Sequence, residues 1–322
     1  MKVSIALCTF NGARYLAGQL ESIAAQTQTP YELIVCDDQS SDSTRDIIQT
    51  FAASASFPVH LYVNDQQLGV RKNFERAIGL CSGDLIALCD QDDIWHPEKL
   101  QLAKDLFLSS PDVGLVFSDA ELVDDDLHAE ARSLWQAVGF DAKKQRRVAA
   151  GRTLEVLLGM NIVTGATMTF KSEFRDLIRP IPSEGCLYHD GWIALIIAPV
   201  ARLAFIDRPL IKYRQHRAQL VGVPPSRSTQ DTTPMQKTER RYYVEKADRF
   251  EEAYQRLAAN QESLNDPAAL SVLREKIIHL RARAAMPRRR LSRLPLVIKE
   301  TVNLHYHQYS RGWFSAAKDL LV

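Results

Sequence analysis

Apolar runs and helix-periodic segments alternate along the first third of the chain. Residues 3–10 form a continuous apolar run that predicts a buried strand, and Leu16, Leu20, Ile23 and Ala24 then recur at helical spacing. Residues 32–36 predict a second strand that ends in Asp37-Asp38. Ser40-Ser41-Asp42-Ser43 supplies capping oxygens ahead of Ile47, Ile48 and Phe51. Residues 59–63 read as a third strand, and Gly69 opens a helix that carries Phe74, Ala77, Ile78 and Leu80. Residues 84–89 and 113–117 read as a fourth and a fifth strand. Buried runs alternating with amphipathic helices predict an α/β fold, a Rossmann-like, mostly parallel sheet with helices on both faces.

From 127 to 151 the pattern weakens and turns basic through Lys143-Lys144-Gln145-Arg146-Arg147, so an irregular loop or lid is expected there. Regular structure is expected again at 154–158 and 162–170, as a helix over 190–198, and as strands at 203–206 and 210–213. Residues 223–234, with Pro224, Pro225 and Pro234, have the composition of a linker. Beyond it, Tyr243, Ala247, Phe250, Tyr254 and Leu257 make one apolar helical stripe. The stripe suits packing on the body or a short coiled-coil contact in a dimer.

Composition narrows the class. The chain has 322 residues, a net charge of +1, 46% hydrophobic and 25% charged residues, the profile of a globular protein with no whole-chain nucleic-acid signature. The charge is split, however: residues 1–222 are net acidic and the remainder is net basic. Arg288-Arg289-Arg290 with Arg293, followed by Tyr306, Tyr309, Trp313 and Phe314, would suit anionic lipid headgroups, or a basic helix lying on the acidic body. The five cysteines, Cys8, Cys36, Cys81, Cys89 and Cys186, match no zinc spacing and read as free thiols of a reducing, cytoplasmic compartment. Met1 leads directly into a strand, so no signal peptide is expected, and the longest apolar stretch, 192–206, is interrupted by Pro199 and Arg202.

The candidate chemistry centres on Cys89-Asp90-Gln91-Asp92-Asp93-Ile94-Trp95. A strand that ends in clustered carboxylates puts oxygen ligands at the carboxyl edge of the sheet, where open α/β sheets bind ligands. Mg²⁺ and Mn²⁺ take such oxygens together with substrate phosphates, so the run fits a metal–diphosphate site; a solvated acidic turn is the plainer alternative. Gly69 and Arg71 begin a helix, a position suited to a diphosphate, although Arg71 also fits an ordinary surface arginine.

Seven pieces occur in an order that resembles the family 2 glycosyltransferases. They are residues 3–12 (VSIALCTFNG), 35–42 (VCDDQSSD), 64–73 (NDQQLGVRKN), 90–95, 163–166 (VTGA), 189–192 (HDGW) and 213–216 (YRQH). The resemblance covers about 1–222 and implies a GT-A fold for it, with nucleotide-sugar binding over about 1–125 and the acceptor side over about 126–222. Residues 235–322 would be a helical, basic C-terminal extension. Within the family the chain looks most like bacterial enzymes of cell-surface polysaccharide assembly, several of them rhamnosyltransferases. Phe10 stands where many relatives carry Tyr, and Gln39 where many carry Gly.

The resemblance implies roles. Asp37 or Asp38 would accept hydrogen bonds from a uracil or thymine ring, with Thr9 and Asn11 lining the same loop beside base or ribose. Asp90 would hold the ribose or stand behind the metal ligands, Asp92 or Asp93 would hold the divalent cation, Mn²⁺ or Mg²⁺, and His216 is a further candidate ligand. Asp190 matches the family's general base, which takes the acceptor hydroxyl's proton during an inverting displacement; it also sits where a helix cap would. The donor would be a UDP- or dTDP-sugar. The acceptor would be a glycan, lipid-linked or free, with contact to the inner face of the cell membrane. Trp95 and Trp192 could wall a sugar site or belong to the core. A dehydrogenase would need a G-x-G-x-x-G turn, which is missing after the first strand, and a nucleotidyltransferase would need a Gly-rich basic loop there. A non-catalytic nucleotide-binding scaffold would have no use for both a cation site and a base.

Overall fold

A computed structural model describes residues 1–184, 187–216, 219, 235–287, 289–310 and 312–321. The expected linker and Cys186 lie outside the described residues. The core is one nine-stranded sheet of β1 (Val3–Thr9), β2 (Glu32–Asp37), β3 (Val59–Val63), β4 (Leu85–Cys89), β5 (Ile94–Trp95), β6 (Val113–Val123), β7 (Ala129–Ser133), β8 (Thr169–Lys171) and β9 (Arg202–Arg214). Its order is β3-β2-β1-β4-β8-β6-β9-β5, with β7 paired to β6. The first four neighbours are parallel, as the alternating pattern predicts. Past β4 the sheet is mixed: β8 runs antiparallel to both β4 and β6, whereas β6 and β9 are parallel.

The period-2 alternation of the central strands divides the core in two. Ala6, Ile34, Ile86, Leu88 and Phe117 face one hydrophobic cluster with the helix Gly69–Leu80 and the helix His189–Ile197, buried throughout except at Asp190. Ile5, Leu7, Leu33, Val35 and Ala87 face the other, against the helices Ala13–Ala24, Thr44–Ser54 and Lys99–Ser109. Burying β1, β2 and β4 on both faces explains why they read as continuous apolar runs.

Two expectations are corrected. Residues 127–151 are not irregular: β7 is followed by the helices Leu134–Val138 and Ala142–Ala149. Capping and turn residues define these helices more than apolar period does. Ser133 and Gln136 form a capping box, Gly139 closes the first helix at φ 74°, and Asp141 caps the second. The separate strands expected at 203–206 and 210–213 are one strand, β9, whose pairing with β6 shifts register around Pro209. The two-residue strand β5 is too short to carry a periodic signal.

The helix Met235–Ala258 packs its stripe onto the body. Ala247, Phe250, Ala253 and Leu257 join the cluster around His189–Ile197, and Arg256 donates to the Ile178 carbonyl at 2.7 Å. A further helix, Ala269–Ala284, and shorter segments to Leu321 complete the chain. Among the described residues no helix is long and apolar enough to cross a membrane.

Candidate active site

Parallel pairing brings the ends of β1, β2 and β4 to one edge. Thr9 is opposite Asp37 and Leu7 opposite Cys89, so the loops after all three strands converge. Thr9 Oγ1 donates to Asp37 Oδ2 at 2.8 Å, and Asp37 also accepts from the Ser40 amide and hydroxyl. Asp38 accepts from Asn64 Nδ2 at 2.6 Å and from the Leu68 and Gly69 amides at 2.7 and 2.9 Å. One acid therefore shapes the β2 turn and the other anchors the start of the Gly69 helix. Asn11 lies at φ 46°, its amide donating to Ser40 and its side chain accepting from the Ser41 amide.

Gln91, which no signal in the sequence singles out, ties the acidic loop to the β1 loop. Its side-chain amide accepts from the Phe10 amide at 2.9 Å and donates to the Phe10 carbonyl at 3.1 Å, as a strand neighbour would. A Cβ on Gly12 would fall 2.2 Å from Gln91 Oε1, so the close approach needs glycine.

The antiparallel register of β5 with β9, Ile94 opposite Lys212, carries the end of β9 past the acidic loop. Arg214 donates its amide to Asp93 Oδ1 at 3.1 Å and Nε to the Asp92 carbonyl at 2.8 Å, and its guanidinium lies 4.6 Å from the Tyr15 ring. Two residues on, His216 Nε2 is 2.8 Å from Asp92 Oδ2, with its ring 4.8 Å from that of Tyr15. Tyr15 in turn donates to Asp125 at 2.5 Å. Arg214 and His216 thus clasp the acidic loop, with the Tyr15 ring packed against both. Arg214 belongs to the YRQH motif, but nothing in the sequence distinguishes it as the residue that holds Asp92 and Asp93.

The electrostatics mark the loop as a site. Burial, reinforced by the Asp92 and Asp190 charges, pushes the Asp90 carboxyl up to about 8. Burial and the charges of Asp92 and Asp90 push Asp93 well up as well. Asp93 Oδ2 is buried without a hydrogen-bond partner among the described residues. Crowded carboxylates, one orphaned oxygen and an imidazole nitrogen on Asp92 are the O and N donor types that a divalent cation takes.

Asp190 stands in the first turn of His189–Ile197, partly buried and close enough to Asp90 for their charges to interact. Its carboxylate accepts from the Gly191 amide at 2.6 Å and the Gly165 amide at 3.2 Å. Burial outweighs these bonds and pushes it up to about 6. Its neighbour His189 is buried and stacked on Phe74 at 4.1 Å, and burial followed by the Arg71 charge lowers it to about 3, so this imidazole is neutral. Gly165 fits because a Cβ there would lie 2.8 Å from His189 Nε2. Arg71 reaches the Ser183 carbonyl and lies 4.7 Å from the Tyr188 ring, beside this turn. Trp192 and Trp95 are both core: Trp192 donates to the Ile178 carbonyl, and Lys99 lies 4.6 Å from the Trp95 ring.

Comparisons with known proteins bear on the resemblance and on the fold. Residues 4–153 match the family described as "Glycosyl transferase family 2". The dTDP-rhamnosyl transferase RfbG of Shigella flexneri is 29% identical over 234 residues, covering 67% of this chain and 73% of RfbG. A crystal structure of TarS 1-349 from S. aureus superposes with a TM-score of 0.59 at 14% identity, covering 96% of this chain and 81% of TarS; another, with a TM-score of 0.57 at 16% identity, covering 99% of this chain and 88% of TarS, holds UDP-GlcNAc. The mannosyltransferase PcManGT of Pyrobaculum calidifontis, solved with GDP-Man and Mn²⁺, gives a TM-score of 0.52 at 18% identity, covering 99% of this chain and 85% of that one. The chain spans 66%, 47% and 36% of the length of the first three curated relatives. The motifs up to residue 95 fall in the stretch that the family model matches, and over that stretch the chain is similar to the family 2 glycosyl transferases, with a fold it shares with TarS and PcManGT.

Proposed function

We propose that the chain is an inverting, metal-dependent glycosyltransferase that moves a sugar from a nucleoside-diphosphate donor to a glycan or lipid-linked acceptor in bacterial surface polysaccharide synthesis. The observation that carries this is the convergence of Asp90, Asp92, Asp93 and His216 at the carboxyl edge of the sheet, with Asp190 approaching the same point from another element. A scaffold would gain nothing from bringing an acid of raised affinity for protons to a cation site.

Asp92 and His216, supported by Asp93 and Asp90, would hold Mn²⁺ or Mg²⁺. The bound cation would supply Lewis-acid neutralisation of charge on the departing diphosphate. The β1 loop at Thr9 and Asn11 and the turn at Asp37 and Asp38 would receive the nucleoside, and Gly69 and Arg71 the diphosphate. Asp190 would take the proton of an acceptor hydroxyl. The oxygen then forms its bond to the anomeric carbon as the bond to the diphosphate oxygen breaks on the opposite face, inverting that carbon. An acid near 6 is ionised at neutral pH yet more basic than an exposed aspartate, which suits the task. The name of the Shigella relative makes dTDP-rhamnose the first donor to test, with UDP-sugars next. A lipid-linked acceptor would place the reaction at the cytoplasmic face of the membrane.

The test is thermal stabilisation by a panel of nucleoside diphosphates and their sugars, with Mn²⁺ and with a chelator. Stabilisation by one nucleotide class that needs the metal is expected. A folded protein that responds to none of them would refute the proposal.

A further inference from the structure

We propose that the last helices form a docking surface for an anionic lipid bilayer. Helix Leu294–Val302 buries Val297 and Glu300 but turns another stripe outward. Leu291, in the 3-10 turn Arg290–Arg293 that leads into the helix, and Leu294, Ile298 and Val302 within it, spaced three, four and four apart, are 88%, 46%, 53% and 73% exposed. That spacing puts them on one side of the helix. The helix Trp313–Leu321 does the same: it buries Ser315 and Ala316 and exposes Trp313, Phe314 and Leu321. The two helices pack together, so the outward stripes belong to one unit. Scattered exposed leucines are ordinary, but seven large apolar side chains on two adjoining helices and the turn that leads into them are not.

The surface is held firmly to the body rather than fraying from it. His279 is 2.6 Å from Glu300, whose carboxylate also meets His305 at 3.0 Å, all three buried. Arg283 pairs with Asp319 at 2.7 Å through two nitrogens, and Tyr306 donates to the same carboxylate. Arg293 donates to the Pro287 and Asp319 carbonyls. Inward polar links fix the helices, and the residues left outside are apolar.

Charge chooses the occupant. Residues 286–322 hold seven Lys and Arg against two acids, Glu300 and Asp319. Glu300 is buried and Asp319 is paired inward, while Arg289, Arg290 and Lys299 are exposed. A second copy of this surface would bring like charge against like, and an uncharged hydrophobic partner would leave the arginines unanswered. An anionic leaflet answers both: it takes Trp, Phe and Leu side chains at the headgroup boundary and pairs the cations with its phosphates. No spanning segment is required, in keeping with the described helices.

The test is co-sedimentation of the full chain with vesicles of phosphatidylcholine mixed with phosphatidylglycerol, and with vesicles of phosphatidylcholine alone. It reads partition and not turnover, so its failure is separate from failure of the transferase proposal. Binding to the anionic vesicles only is expected, falling with salt. The variant Ile298→Ser/Trp313→Ser/Phe314→Ser should lose about tenfold or more in partition at unchanged unfolding temperature. Arg289→Glu/Arg290→Glu should lose the preference for anionic lipid, and it decides alone if the triple variant is misfolded. Failure of the native chain to bind anionic vesicles would overturn the inference. So would undiminished binding by the variants, or a dimer in sedimentation equilibrium that the triple variant converts to monomer.

Discussion

Replacing Asp190 by Asn should make the protein more stable at neutral pH while abolishing transfer. The carboxyl is raised from 3.8 to about 6 in the folded chain, chiefly by burial. Such a displacement corresponds to about 3 kcal/mol between the two protonation states. The sign follows from proton binding. Below about 4 both folded and unfolded chains carry a protonated Asp190, and no penalty arises. Between about 4 and 6 the folded chain binds the proton that the unfolded chain has released, so stability falls as pH rises. Above about 6 the ionised group is held in a poorly solvated place and the whole penalty is felt. The substituted asparagine has nothing to ionise. It keeps one acceptor for the Gly165 or Gly191 amide and loses the other, a constant cost of about 1 kcal/mol at every pH. The difference in unfolding free energy, variant minus native, should therefore rise by about 2–3 kcal/mol from pH 4.5 to pH 8. Urea unfolding of both proteins at those two pH values measures it. A difference that does not change with pH would refute the buried, proton-hungry carboxylate on which the base assignment rests.

Three further outcomes follow from the same geometry. Asp92→Asn or His216→Ala should raise the Mn²⁺ concentration needed for nucleotide binding by about tenfold or more, read by metal titration of thermal stabilisation; an unchanged metal midpoint would remove the pair from the cation site. Gly12→Ala should cost about 1–2 kcal/mol by driving out Gln91 and its two bonds to Phe10, and nearly nothing in a Gln91→Ala background; additivity of the two substitutions would show that the clash is not the cause. The kcat/KM for transfer should rise with pH through about 6 and then level, because the base must be ionised; a profile flat across that range would contradict it.

The fold was legible where strands are buried on both faces, since Ile5, Leu33 and Ile86 announce themselves as apolar runs. It was least legible past β4. There the sheet reverses direction through β8, three residues long, and the helices at 134–138 and 142–149 are set by caps such as Ser133 and Asp141 more than by periodicity. The acidic loop was legible because charge after an apolar strand is conspicuous. The groups that hold it were not: Arg214 meets Asp92 and Asp93 only because β5 and β9 pair in one register, and Gln91 meets Phe10 only because β1 and β4 are neighbours. Long-range pairing decides both, and no local signal encodes it. Asp37 and Asp38 suggest a base-binding role in the sequence, yet their oxygens already hold the surrounding turns, which is how such a loop can be preorganised.

The most direct test compares the native chain with Asp190→Asn in two assays, calorimetric binding of the donor nucleotide with Mn²⁺ and release of nucleoside diphosphate from the sugar donor in the presence of acceptor. Equal metal-dependent binding with release confined to the native chain is the predicted result. Equal release by both proteins, or nucleotide binding that ignores the metal, would contradict the account.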